Sequence, residues 1–162
     1  MQSDSGLDVL LGLHGQRVLM KLSLNAKKEG NTMKALIGVM NEELIRRRTL
    51  AIVKGEYVIQ PGEPKIWFTS MIALAQVLSS DNIVLLRLIN ERKPETIAEL
   101  AKLSGRQPSN LSATLKTLNQ HGFVALEKNG RSVKPKALFT DFEIKIEQEI
   151  VERVMSSCGA KI

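Results

Sequence analysis

In 162 residues the chain has a single cysteine, Cys158, and two histidines, His14 and His121. One thiol cannot build an internal disulfide framework, and it leaves no thiolate partner for a structural zinc site. A reducing compartment, by default the cytoplasm, is therefore the expected setting. Long apolar runs are missing as well. Leu36 to Met40 and Met71 to Leu78 fall far short of the roughly 20 residues a spanning helix requires, so no membrane association is expected. Asp4 and Asp8 stand where a signal peptide carries lysines, and no small-residue cleavage site follows Leu7 to Leu13, which argues against export by that route. Catalytic signatures are absent too: no glycine-rich Lys-Ser phosphate loop, no His-Glu-x-x-His, no paired cysteines and no Gly-x-Ser-x-Gly. Because His14, His121 and Cys158 lie far apart in the chain, a nucleophile and base pair is not expected, and neither is a metal or a cofactor.

Basic charge is present, and it is unevenly placed. The formal net charge is +6. Between Arg92 and Thr140 nine basic residues (Arg92, Lys93, Lys102, Arg106, Lys116, Lys128, Arg131, Lys134 and Lys136) face only Glu95, Glu99 and Glu127, while the 14 basic and 14 acidic residues elsewhere cancel. The whole excess belongs to one segment, which suggests a polyanionic partner; a solvated lysine-rich face fits charge alone equally well, and pattern must decide. A chain of this length buries on the order of two-thirds of its unfolded surface, enough for one domain, or a small domain with an extension.

Residues 1–32 read equally as two short strands or as helical turns around Gly12 and Gly15, and Met33 competes with Met1 as the natural start. Ala35 to Met40 has strand character. Asn41 with Glu42 and Glu43 starts a helix that Gly55 stops, with Arg46, Arg47 and Arg48 expected outward, solvated or facing phosphates. Pro61 to Pro64 is a turn, and Lys65 to Phe68 a strand whose Trp67 and Phe68 supply core mass. Thr69 or Ser70 caps a helix through Val77, and Ser79 to Asp81 recaps a core helix from Asn82 to Arg92 that Pro94 ends.

The segment that carries function begins at Thr96, whose spacing to Glu99 is a capping box. Ile97, Leu100, Ala101 and Leu103 point inward, and the helix ends at Gly105, which supplies positive φ for a tight helix-turn-helix. Pro108 suits the first turn of the next helix, 108 to 121, whose buried stripe is Leu111, Leu115 and Leu118. Its outer face is small, polar and weakly basic, the chemistry of a helix that reaches base edges and phosphates in a major groove. His121 is expected as a helix-end cation near the C-terminal dipole. A strand from Phe123 to Glu127, a turn of Lys128 to Arg131 with an Asn129-Gly130 signal, and a return strand from Ser132 to Phe139 complete a winged helix. The candidate DNA-contacting residues are Arg106, Gln107, Ser109, Asn110, Ser112, Ala113, Lys116 and Thr117 on the helix pair. On the wing they are Lys128, Asn129, Arg131, Lys134 and Lys136.

Thr96 to Phe139, with Ala101, Gly105, Ser109 to Ser112, Leu115 to Leu118 and Gly122 to Val124, resembles the MarR-like winged-helix transcriptional regulators. In the branch that resembles it best, segments like Gly62 to Ser70 and Arg48 to Glu56 precede this domain, so the resemblance covers about Met33 to Glu143. The resemblance implies sequence-specific duplex DNA binding and transcriptional regulation without catalytic residues. Some members resemble antitoxins, which implies a toxin as a protein partner. Ala113 departs from the pattern, since the family often has a basic residue there, and this shifts the expected burden of binding toward the wing.

The expected fold is mainly α with a small β-hairpin, a winged helix-turn-helix of the α+β class with an N-terminal extension. Its expected divisions are an extension at 1–32, a strand-helix-strand arm at 33–68, the winged helix at 69–140 and a C-terminal strand and helix at 141–162. In the last of these, Ile146, Ile150, Val151 and Val154 form a stripe suited to dimerisation or to packing within the monomer. The function expected is a homodimeric repressor or autoregulator. The alternative is an antitoxin or adaptor that clasps a partner through the 33–68 arm.

Overall fold

The computed structural model describes residues 34–157 and 159. The readings made above for residues 1–32 and for Cys158 lie outside them. The described chain is α+β: β1 (Lys34–Val39), α1 (Glu42–Lys54), β2 (Ile66–Phe68), α2 (Met71–Val77), α3 (Ser80–Arg92), α4 (Ile97–Ser104), α5 (Pro108–Gln120), β3 (Val124–Asn129), β4 (Ser132–Ala137), β5 (Asp141–Lys145) and α6 (Gln148–Ser157). The described residues fall into two compact units, one of residues 35–74 with 143–157 and 159, the other of residue 34 with residues 75–142. No single helix among the described residues is long and apolar enough to cross a membrane.

The first unit holds a three-stranded sheet in the order β2-β1-β5, with β1 and β2 parallel and Gly38 opposite Trp67. A Cβ on Gly38 would sit 2.1 Å from the Trp67 ring, so the strand carries glycine where the indole lies flat across it. Helix α1 starts as its sequence requires, with Asn41 accepting from the Leu44 N–H and two glutamates in the first turn. It packs against α6, and Met40, Ile45, Trp67 and Ile150 form one cluster, Ala51, Tyr57 and Val154 another. The C-terminal stripe is thus used within the chain at Ile150 and Val154, whereas Ile146 precedes the helix and is exposed.

Of the three consecutive arginines, Arg46 and Arg47 stay at the surface as expected and only Arg48 turns inward. Arg46 and Arg47 fold back onto Glu43, whose carboxyl is held below its ordinary pKa by hydrogen bonds from Arg47 and Arg46. Arg48 is buried, because it lies three residues from both Ile45 and Ala51 and so falls on the inner face of α1. Its guanidinium sits 5.1 Å from the Trp67 ring and 5.4 Å from that of Tyr57, a double cation–π contact.

The counter-charge comes from a turn. Pro61 and Gly62 occupy its centre, Gly62 at φ 82°, and the Glu63 N–H donates to the Gln60 carbonyl, the type II pattern that these two residues favour. This delivers Glu63 into the interior. One of its oxygens accepts from Arg48 at 2.9 Å; the other accepts from Arg153 at 2.8 Å and from the Tyr57 hydroxyl at 2.5 Å. Burial and the carboxylate together push the Tyr57 phenol above its ordinary pKa.

Glu63 is the carboxylate that both Arg48 and Arg153 share, so removing it strands a buried cation, whereas removing Arg48 leaves Glu63 two partners. Glu63→Gln is therefore expected to cost about 3 kcal/mol, and Arg48→Met closer to about 1 kcal/mol. Trp67, the sole tryptophan of the chain, makes its fluorescence during urea unfolding a selective probe of this unit. Equal losses for the two variants would contradict the asymmetry.

Candidate nucleic-acid interface

In the second unit Ser79 caps α3, and the Thr96 hydroxyl accepts from the Glu99 N–H at 3.0 Å to start α4. The reciprocal arm of that box shifts by one residue, since the Glu99 carboxylate accepts from the Glu95 N–H at 2.8 Å. Gly105 ends α4 at φ 67°, and Pro108 opens α5 two residues beyond Arg106. Helix α4 packs on α3 and α5, while both α3 and α4 touch β4. Leu100, Leu111, Leu115 and Leu118 are fully buried, which orients α5 and turns Ser109, Asn110, Ser112, Ala113, Lys116 and Thr117 to solvent.

A Schellman turn sets the direction in which the chain leaves α5. The Gly122 N–H donates to the Asn119 carbonyl and the Phe123 N–H to that of Leu118, with Gly122 at φ 79°. Phe123 is fully buried and meets Phe142 edge to face at 5.6 Å. The Asn119 amide also donates to the Val124 carbonyl at 2.8 Å, a second tie between the helix and β3.

β3 and β4 pair antiparallel from Val124 opposite Ala137 to Asn129 opposite Ser132. The loop is therefore Gly130-Arg131. Asn129 does not occupy a central turn position, as the sequence suggested, but forms the last rung. Gly130 has φ 60° and Arg131 has no positive φ, the pattern of a II′ hairpin with glycine first.

Gln107, Ser109, Asn110, Ser112, Ala113, Lys116, Thr117, Lys128, Asn129, Arg131 and Lys136 are exposed. The side chains of Lys116, Lys128 and Arg131 have no ion-pair or hydrogen-bond partner among the described residues. Two expected contacts are already firmly engaged, and a third is loosely paired at the surface. Arg106 is half-buried and donates to the Asn82 side chain at 3.1 Å and to the Asp81 carbonyl at 2.8 Å, bracing the turn against the start of α3. Lys134 is half-buried and paired with Glu95, and Lys136 lies 3.8 Å from Glu127. Sequence reading missed both commitments because Glu95 and Asp81 are distant in the chain. From residue 100 to residue 126 no aspartate or glutamate occurs, so the outward face of α5 carries no carboxylate.

No group of three or more His, Cys, Asp or Glu side chains gathers as a metal site among the described residues. A family model, HVO_A0114, matches residues 77–144. The match spans nearly the whole of the second unit. No curated protein and no solved structure matches the chain.

His121 caps α5, and burial pushes its pKa below the ordinary 6.5, so it is neutral at pH 7 and not the cation expected from its place at a helix end. The unfolded chain then binds its proton first as pH falls, and stability drops below about pH 6.5. Melting of the second unit, followed through the Phe123 ring resonances, should fall with pH in that range. His121→Gln should flatten the decline; an unchanged pH slope would contradict the assignment.

Proposed function

We propose that residues 69–140 form a winged helix-turn-helix of the MarR-like kind, and that the chain binds duplex DNA as a homodimer to repress or autoregulate transcription. The observation that carries this reading is the carboxylate-free outer face of α5 together with the basic tip of the hairpin. Helix α5 spends its apolar stripe on the core and presents Ser109, Asn110, Ser112, Lys116 and Thr117 outward, and the hairpin behind it ends in unpaired Lys128 and Arg131. Phosphates repel carboxylates and are drawn to unpaired cations, while small polar side chains on a helix suit base edges.

In this reading Ser109, Asn110, Lys116 and Thr117 face the major groove, and Lys128 and Arg131 meet the flanking backbone. Arg106 acts by bracing the turn, and Lys134 is held in reserve by Glu95. A second reading, an antitoxin or adaptor that clasps a protein through residues 33–68, draws support from Val53 and Val58, which are 75% and 71% exposed at the end of α1 and just beyond it.

If six to eight phosphates per dimer are neutralised, log affinity for duplex DNA should fall with log salt at a slope of about −5 to −7. Lys128→Glu with Arg131→Glu should weaken binding to specific and random duplex alike and flatten the slope, whereas Asn110→Ala should relax preference at one base position. Glu95→Gln, by releasing Lys134, should steepen the slope by about 1 per chain. Fluorescence anisotropy over a salt series checks all three, and a flat salt response of the wild-type chain would move the assignment to the protein-binding reading.

A further inference from the structure

We propose that Asn129 is a site of spontaneous, one-way deamidation that adds a negative charge to the basic hairpin tip. Asn129-Gly130 is the only Asn-Gly step among the eight asparagines of the chain. In the reaction the Gly130 peptide nitrogen attacks Cγ of Asn129. The new N–Cγ bond forms as the Cγ–Nδ2 bond breaks, and ammonia departs with the proton lost from the peptide nitrogen. Water then opens the cyclic imide to aspartate or isoaspartate. No oxidant or enzyme is required.

The fold places this step where it can proceed. Asn129 and Gly130 are both exposed. Gly130 has no side chain to crowd the attack, and beyond its own atoms and its chain neighbours no heavy atom lies within 4 Å of where its Cβ would be. As the first loop residue, Gly130 keeps its N–H outside the strand ladder, which closes at Asn129 opposite Ser132. An extended Asn129 must still rotate to bring its Cγ to that nitrogen, so the tip has to open by one rung. The extra tie on that rung is the Ser132 hydroxyl, which donates to the Asn129 carbonyl at 2.9 Å. Opening this last rung leaves the rest of the hairpin paired.

The product puts a carboxylate between Lys128 and Arg131. Its effect on binding rests on the DNA reading above: two unpaired cations at the tip become a net single charge, and affinity for a polyanion falls irreversibly with the age of the molecule. A duplex that holds the tip closed would slow the reaction, so the unbound protein would age faster than the bound one.

The test is to incubate the full chain at mildly alkaline pH, cleave after Glu127, and follow by mass spectrometry the gain of about one dalton in the peptide that starts at Lys128. Asn41, Asn82, Asn90, Asn110 and Asn119 are internal controls. Asn129 is expected to convert several-fold faster than any of them, faster still in Ser132→Ala, with the tip change absent in Asn129→Gln. Conversion of Asn129 no faster than the controls would overturn the proposal. In parallel, aged wild-type protein should show a salt slope shallower by about 1 per chain, and aged Asn129→Gln an unchanged slope. Conversion without any change in duplex affinity would uphold the modification site and count against the hairpin as a DNA contact.

Discussion

Helix α5 ends on Gly122 at φ 79°, and this one backbone conformation sets where everything after it goes. An L-residue with a side chain pays roughly 1–2 kcal/mol to adopt it, and without it the paired bonds from Gly122 and Phe123 to the last carbonyls of α5 cannot close. Because they do close, Phe123 drops into the core beside the buried leucines, β3 leaves the helix at a fixed angle, and Asn119 locks that angle by bonding Val124. The outward face of α5 and the basic tip of the hairpin are therefore parts of one rigid arrangement. The proposed DNA reading needs this, since phosphates and base edges sit at set distances along a duplex.

The other unit depends on a charge arrangement of a different kind. Its centre is a carboxylate, Glu63, that two arginines and a tyrosine share, with the Arg48 guanidinium between two aromatic rings. Burying ions is costly unless each is paired and hydrogen-bonded, and here a Pro61-Gly62 turn, α1, β2 and α6 each supply one part of the solution.

Much of the second unit was legible because its signals are local. The Thr96 to Glu99 spacing, Gly105, Pro108, the Leu111, Leu115 and Leu118 stripe and the Gly122 stop all act within a turn or two of helix, and the helices and hairpin follow from them. What escaped was whatever depends on distant partners. Lys134 meets Glu95 and Arg106 meets Asp81 only once the chain has folded, so charge counting alone treated both as available to a ligand. Arg48 was legible in principle, since its spacing from Ile45 and Ala51 places it on the inner face of α1, but residue type outweighed periodicity. The Asn-Gly signal put Asn129-Gly130 at the centre of the hairpin turn, and the ladder, which runs through Asn129 opposite Ser132, puts Gly130-Arg131 there instead.

The central claim, that this surface reads DNA sequence, is tested most directly by binding the purified chain to the DNA that precedes its own coding sequence and to a scrambled fragment of equal length, at two salt concentrations. The account predicts tighter binding to the native fragment, with both affinities falling as salt rises and the preference persisting. Equal binding to the two fragments at either salt, or no binding to both, would contradict it.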